Sequence, residues 1–339
     1  MRKTVFVFLL AIAIVAASAQ RQSTVHAEER FLANGLLPPM PVPEDNPQTD
    51  AKIRLGKQLY FDKRLSSDNT ISCASCHRPD AAWADTGPVS EGVAHKKGGR
   101  NSPTILNAGY SVPQFWDGRA LRLEKQAVGP VQNPLEMDLT IPELLRRLNA
   151  IPGYVKQFQD VFGSEPTEEL VAKAIASFER TIVSANSPYD KYLQGDESAM
   201  SGAAVRGMDL FKGKGHCIVC HSGPYFSDTQ YHNLGIGYKS GSFADPGRHD
   251  VTHRPRDMGA FKTPGLRSVA LTPPYLHDGS EPTLEAVIDL YNRGSVPNPN
   301  LDPAMLPLNL TKREKADLVE FLKALTGDVP AVTEPKPPE

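Results

Sequence analysis

Two runs of this chain carry the residue types and spacing that covalent cofactor chemistry needs: Cys73-Ala74-Ser75-Cys76-His77 and Cys217-Ile218-Val219-Cys220-His221. Cys-x-x-Cys-His is the pattern of c-type haem attachment. Each sulfur adds to one haem vinyl group, and the histidine that follows is held beneath the ring to bind iron. One such motif could also be a redox dithiol or half a zinc site. Two of them, using all four cysteines of the chain, weaken both alternatives. The expectation is two covalently bound haem c groups, with His77 and His221 as proximal ligands.

Helices must hold these motifs in place. Ile53 to Tyr60 carries apolar residues at helical spacing and leads into the first motif. Gly56-x-x-Leu59-Tyr60 before that motif is echoed by Gly207-x-x-Leu210-Phe211 before the second, which points to two related domains. Arg100 to Trp116 reads as loop, with Asn101-Ser-Pro and Val112-Pro. A helix is predicted from the capping box Thr140-Ile-Pro-Glu143, with Leu144, Leu145 and Leu148 on one face. Leu170 to Val183 is a second, with Ala174, Ile175, Phe178 and Ile182 inward, and the last starts at the capping box Thr311-Lys-Arg-Glu314. Thr283 to Gly294 reads as a helix with a Thr cap and a Gly stop; Leu284, Val287, Ile288 and Tyr291 share its inner face. Strand-like alternation is scarce. The fold class is mainly α, with two cytochrome c-like domains, each with one covalently attached haem, over residues 28–185 and 186–328. Residues 329–339 form a proline-rich tail expected to be disordered.

Composition limits the function classes. A chain of 339 residues is long enough for two domains. Its net charge of −2 comes from 37 basic and 39 acidic residues, so nothing points to nucleic acid or an anionic membrane surface. Arg2 and Lys3 before the apolar run from Val5 to about Ala17 read as a signal peptide over residues 1–27, cleaved after Ala19 or Ala27. That run is short for a bilayer span of roughly 20 residues; an uncleaved anchor is the alternative. Export agrees with c-haem chemistry, which is completed outside the cytoplasm, so a soluble periplasmic protein is expected. Glu28 to Asp50 is a proline-rich extended arm.

Several longer runs carry a resemblance: Leu55-Gly-Lys-Gln-Leu-Tyr-Phe-Asp, Phe115-Trp-Asp-Gly-Arg119, Phe178-Glu-Arg-Thr, Cys220-His-Ser-Gly-Pro and Leu276-His-Asp-Gly. From about Pro38 to Gly327 the chain resembles the bacterial di-haem cytochrome c peroxidases, a family that includes the MauG enzymes, which mature a tryptophylquinone cofactor. The motifs are specific for the superfamily and not for one branch of it. The resemblance implies a peroxidatic haem in the first domain and an electron-transfer haem in the second.

For the sixth ligand of the second haem the candidates are Met258, Met305, His232, His277 and Tyr291. Spacing alone favours Tyr291 as a core tyrosine with a satisfied hydroxyl. The resemblance alters this: peroxidases of the family have a methionine at that position and the MauG branch a tyrosine. Tyrosinate favours ferric and higher iron states, whereas methionine raises the potential. Many relatives close the first haem with a distal histidine. Here Val93 takes its place in Val89-Ser-Glu-Gly-Val93-Ala-His95. His95, two residues on, could reach iron only if the loop folds differently. The expectation is an open first haem that needs no reductive activation.

The resemblance also implies the residues that act on peroxide. Gln126 and Glu136 match the family's distal glutamine and glutamate, and Pro130 its pocket proline. Glu136 then shuttles a proton between the peroxide oxygens, work that suits a carboxylate in a partly apolar pocket, while Gln126 orients peroxide. Composition alone would read Glu136 as a solvated acid. Trp116 matches the tryptophan between the haems and Trp83 reads as core. Asn101, Thr272 and Pro274 match the ligands of a calcium ion, the last two through backbone carbonyls, and oxygen donors suit that ion.

Three functions compete. The first is reduction of hydrogen peroxide with electrons from a small cytochrome c or cupredoxin. The second is peroxide-dependent oxidation of a partner protein or organic substrate, as in MauG, which works through a surface tryptophan near its second haem; this chain has none after Trp116. The third is electron carriage between two closed haems, which Val93, Gln126 and Glu136 disfavour. The first is the leading expectation.

Overall fold

The computed structural model describes residues 35–339. The expected signal peptide and the start of the arm lie outside the described residues. The helices of eight residues or more are α1 (Asp50–Phe61), α2 (Ile141–Asn149), α3 (Pro152–Phe162), α4 (Glu168–Glu179), α5 (Gly202–Lys212), α6 (Leu284–Asn292) and α7 (Lys312–Ala324). Strands are few and short: β1 (Tyr231–Asn233) pairs antiparallel with β4 (Ala260–Lys262), and β2 (Tyr238–Lys239) with β3 (Ser242–Phe243). The chain is mainly helical, as its patterning predicts. Among the described residues no helix is long and apolar enough to cross a membrane.

Buried side chains form two clusters, one built on α1 and α4, the other on α5 and α7. The glycine echo explains their common design. A Cβ on Gly56 in α1 would stand 1.8 Å from the Ala174 carbonyl oxygen of α4, and one on Gly207 in α5 would stand 1.9 Å from that of Asp317 in α7. Only glycine lets each pair of backbones come this close. One turn on, Tyr60 meets Phe178 edge-on at 5.1 Å between ring centroids, and Phe211 meets Phe321 at 5.2 Å. The same crossing is thus built twice, each time just before a Cys-x-x-Cys-His motif.

The caps follow from sequence with one difference. Thr311 and Glu314 form the full reciprocal box. Thr140 caps α2, but Glu143 turns away to bind Arg146 and Arg147, because two guanidinium groups outcompete one backbone amide. Helix α4 ends at Glu179, short of Val183.

A second duplication lies in the loops. Residues 100–120 and 261–281 repeat the same conformation at a constant offset of 161 positions (101 to 262, 113 to 274). Asn107 and Ser268 both adopt positive φ, as do Phe115 and Leu276, and Gly118 and Gly279. The Gln114 amide donates to the Ala120 carbonyl at 2.7 Å, and Tyr275 to Glu281 at 2.8 Å. The two copies bond to each other across the junction of the clusters. Asn101 N–H donates to the His277 carbonyl and Lys262 N–H to the Trp116 carbonyl, both at 2.7 Å. Since Asn101 corresponds to Lys262 and Trp116 to His277, the junction is a reciprocal exchange. Arg100 adds a charged tie, bonding both Asp117 and Asp245.

The tail departs from the expectation of disorder. Val329 and Val332 pack on the first cluster, the Glu339 carbonyl accepts from Gly153 N–H at 2.7 Å, and the Pro338 carbonyl accepts from Arg64. Its prolines suit an extended strap laid over apolar surface, and backbone bonds hold it there.

Candidate active site

Each attachment motif ends a short helical turn, at Cys73–Cys76 and Cys217–Val219. All four thiols are free. Burial pushes the Cys76 thiol up to about 11 and that of Cys217 up to about 12, and Cys73 rises for the same reason. Redox dithiols and zinc thiolates need the opposite shift, so the surroundings fit thioether formation in an apolar site.

The two histidines are prepared alike. His77 Nδ1 lies 2.9 Å from the Pro103 carbonyl and His221 Nδ1 lies 2.9 Å from that of Phe226. A carbonyl only accepts, so Nδ1 carries the proton in both rings and Nε2 keeps its lone pair. This is how proteins fix the tautomer of a metal-ligating histidine. Burial lowers both pKa values and keeps the rings neutral. Tyr60 Oη donates to the His77 carbonyl at 3.1 Å, tying the first motif to α1. Residues of both sites therefore fit an axially bound haem.

A cavity of about 240 Å³ opens over the second motif, lined by Cys217, Cys220 and His221. Leu284, Val287, Ile288 and Tyr291 of α6 all line it, so the predicted inner face is the observed one. Of the other ligand candidates, His232, His277 and Met305 line it as well, and Met258 does not. His232 is fully engaged: Nδ1 lies 2.7 Å from Asp302 and Nε2 lies 3.0 Å from Asp228. Neither nitrogen has a lone pair to give a metal, and the nearby Cys220 sulfur belongs to the attachment motif. His277 stacks on Phe261 at 3.5 Å. Burial raises the Tyr291 phenol, so a tyrosinate there requires a cation in direct contact.

A second opening, of about 600 Å³, is lined by Phe115, Arg119, Pro130, Asn133 and Glu136 among others. Glu136 is half-buried, and burial raises its pKa against the opposing hydrogen bond from Asn133 Nδ2 at 2.6 Å and the charge of Arg119. Gln126 stands one short helix earlier, half-buried and outside this lining. Val93 is 2% exposed, and its N–H donates to the Glu136 carbonyl at 2.8 Å. His95 points away: its side chain is 90% exposed and bonded to Glu91 at 2.6 Å.

Trp116 lies at the junction. Its Nε1–H donates to the Asn101 carbonyl at 2.9 Å, and it lines the cavity of the second motif with Asn101, Thr272 and Pro274. Asn101 Nδ2 donates to the Gly87 and Pro88 carbonyls, which turns Oδ1 the other way. Among the described residues no donor bonds Asn101 Oδ1 or the carbonyls of Thr272 and Pro274. Three oxygens without donors fit a hard cation. Trp83 is fully buried against Tyr60 and Phe178, a core residue as expected. Sequence reasoning missed Pro103, Phe226, Asn133, Arg119 and Lys262. The first two act through carbonyls, which carry no side-chain signal.

Paired attachment sites around one junction fit a protein that holds two haem groups, and comparison places the chain. Residues 50–198 match the family described as di-haem cytochrome c peroxidase. Cytochrome-c peroxidase IdrP1 of Pseudomonas sp. (strain SCT) is 39% identical over 324 residues, 87% of this chain and 86% of that one. Methylamine utilization protein MauG of Methylorubrum extorquens is 40% identical over 301 residues, 88% of this chain and 85% of that one. The crystal structure of a MauG-like protein associated with microbial copper homeostasis has a TM-score of 0.79 at 35% identity, covering 86% of this chain and 94% of that one. The chain belongs to the di-haem cytochrome c peroxidase family and is an oxidoreductase of the cytochrome-c peroxidase type. Membership implies two haem c groups.

Proposed function

We propose that this protein reduces hydrogen peroxide to water with electrons from a small cytochrome c or cupredoxin, and that it does so without prior reductive activation. Each peroxide takes two electrons and two protons and yields two waters. Haem iron at the first motif supplies the redox chemistry that splits the O–O bond. The observation that carries the reading is Val93, buried against the Glu136 backbone with an apolar side chain where a blocking histidine would stand.

The chain's own residues do the proton work. Glu136 accepts a proton from the inner peroxide oxygen and returns it to the outer one; burial raises its pKa toward the range where it can do both. Asn133 fixes the carboxylate by donating to Oε1. Gln126 is assigned the orientation of peroxide, and Trp116 the passage of electrons across the junction. Residues 28–185 are assigned as the peroxidatic domain and 186–328 as the domain that receives electrons, where Tyr291 would help to hold the haem iron. A calcium ion is assigned to Asn101, Thr272 and Pro274, and the protein is exported to the periplasm.

Glu136→Gln tests the reading. Steady-state peroxide turnover with reduced small cytochrome c should fall about 10²- to 10⁴-fold, the usual worth of general acid–base catalysis, with both haem spectra unchanged. Equal turnover would sink the assignment. A second reading, oxidation of a partner protein or organic substrate, is favoured by Tyr291 in the second cavity and opposed by the lack of tryptophan beyond Trp116. Adding peroxide and then reduced cytochrome c separates the two: an oxidised state indifferent to the cytochrome supports the second. A fully six-coordinate low-spin ferric spectrum would instead support electron carriage alone.

A further inference from the structure

The repeated junction segment places the three oxygens of Asn101, Thr272 and Pro274 in register with a second set. At the offset of 161, Asn101 corresponds to Lys262, Thr272 to Ser111 and Pro274 to Pro113. Members of the second set also meet. Lys262 Nζ donates to Ser111 Oγ across the junction, and their counterparts Asn101 and Thr272 line one cavity. The backbones agree: Ser111 N–H donates to Ala108 at 3.0 Å, Thr272 N–H to Val269 at 3.3 Å, and the reciprocal bonds of Asn101 and Lys262 are equal in length.

We propose that the Lys262 ammonium stands in, at the repeat-related twin position, for the cation assigned above to Asn101, Thr272 and Pro274.

Three observations carry this. Lys262 is 8% exposed, yet among the described residues it forms no ion pair, and Ser111 Oγ is the acceptor its ammonium meets. A buried ammonium without a carboxylate is costly, and neutral oxygen donors are what a cation site of this kind offers instead. The first position has oxygens without donors, and the twin has donors in place: Lys262 bonds Ser111 Oγ and Gln114 Nε2 bonds the Ser111 carbonyl. A site that already contains its cation needs no ion. Burial lowers the Lys262 pKa to about 8, which leaves the group mostly protonated at neutral pH.

The inference rests on the calcium reading, and the test separates the two. Purified holoprotein is depleted with EGTA, dialysed and titrated with calcium, and bound metal is read by elemental analysis and calorimetry. Wild type should bind one equivalent, N101K none, and K262N two. The unfolding midpoint of wild type should fall on EGTA treatment, and that of N101K should not respond. Wild type without bound calcium overturns the underlying reading. Wild type with one equivalent and K262N also with one overturns the twin position. Should K262N fold poorly, its yield of haem-loaded protein with and without added calcium decides, with Lys262→Met as the variant that offers no oxygen. Recovery by calcium in K262N and not in K262M is expected, and equal behaviour of the two overturns the proposal.

Discussion

Replacing Gly207 by alanine puts a methyl group into the closest helix crossing of the second cluster. The added Cβ would lie 1.9 Å from the Asp317 carbonyl oxygen and 2.8 Å from Phe321 Cβ, where ordinary contact begins at 3.4 Å. The obstacle is backbone, so no rotamer change relieves it and α5 must move about 1.5 Å from α7. Overpacking of this kind costs roughly 1–3 kcal/mol, and a backbone clash belongs at the upper end. Alanine returns about 1 kcal/mol of helix propensity, which leaves about 2 kcal/mol of net destabilisation. At roughly 2–4 °C per kcal/mol for a unit of this size, the unfolding midpoint should fall by about 4–8 °C. The assay is thermal melting by far-UV circular dichroism on holoprotein. Gly56→Ala, with its Cβ 1.8 Å from the Ala174 carbonyl, should behave alike. Gly202→Ala is the control, because its nearest neighbour is the Arg206 guanidinium at 3.7 Å, an ordinary contact distance, and its midpoint should not fall. A Gly207→Ala protein melting at or above wild type would refute the shared-crossing argument.

Tyr291→Met should raise the midpoint potential of the second haem in spectroelectrochemical titration, since a thioether replaces an anionic donor; an unchanged potential would remove Tyr291 from the iron. His95→Ala should leave the ferric spectrum and peroxide turnover unchanged, because His95 faces solvent beside Glu91; a new high-spin signal would show that it ligates. Glu179 is 4% exposed, and burial raises its carboxyl to about 8 from an ordinary 4.5. The unfolded chain loses this proton first, so folding stability falls as pH rises from about 4.5 to 8. Glu179→Gln should flatten that decline in denaturant melts taken across the window, and an unaltered slope would count against the buried acid. EGTA should lower the thermal midpoint of wild type and leave Asn101→Ala unaffected, with an equal fall in both counting against Asn101 as a ligand.

What could be read from the chain depended on where the information lies. Attachment motifs, caps and the α6 face are local, set by residues a few positions apart, and the α6 face and the Thr311–Glu314 box form as their spacing predicts. Tyr291 lines its cavity because Leu284, Val287 and Ile288 do. The ends of α4 and the tail were harder. Val332 and Pro338 find their partners only after the first cluster exists, and proline content says nothing about which surface an extended segment meets. The carbonyls of Pro103 and Phe226 were invisible for another reason, since any residue can present one. The repeat at residues 100–120 and 261–281 keeps few identical side chains. Its signature is backbone conformation, with positive φ at Asn107 and Ser268 and at Phe115 and Leu276, which many residue types can adopt.

That repeat bears on how one protein could assign different work to two similar sites. A chain repeated without change would produce two equal haem environments with no reason for electrons to pass in one direction. Here the backbone is kept and most side chains differ at matched positions. Trp116 and its counterpart His277 line the same cavity, one indole bonded to the Asn101 carbonyl and one imidazole stacked on Phe261. Asn101 corresponds to Lys262, a neutral oxygen donor against an ammonium bonded to Ser111. Outside the repeat, Glu136 lines one opening, while Tyr291 of α6 lines the cavity over the second motif. Asymmetry of function therefore needs no asymmetry of fold. On the function proposed above it would require one oxidisable ring at the junction, one open face and one closed face, each assigned to one or two residues on a scaffold used twice.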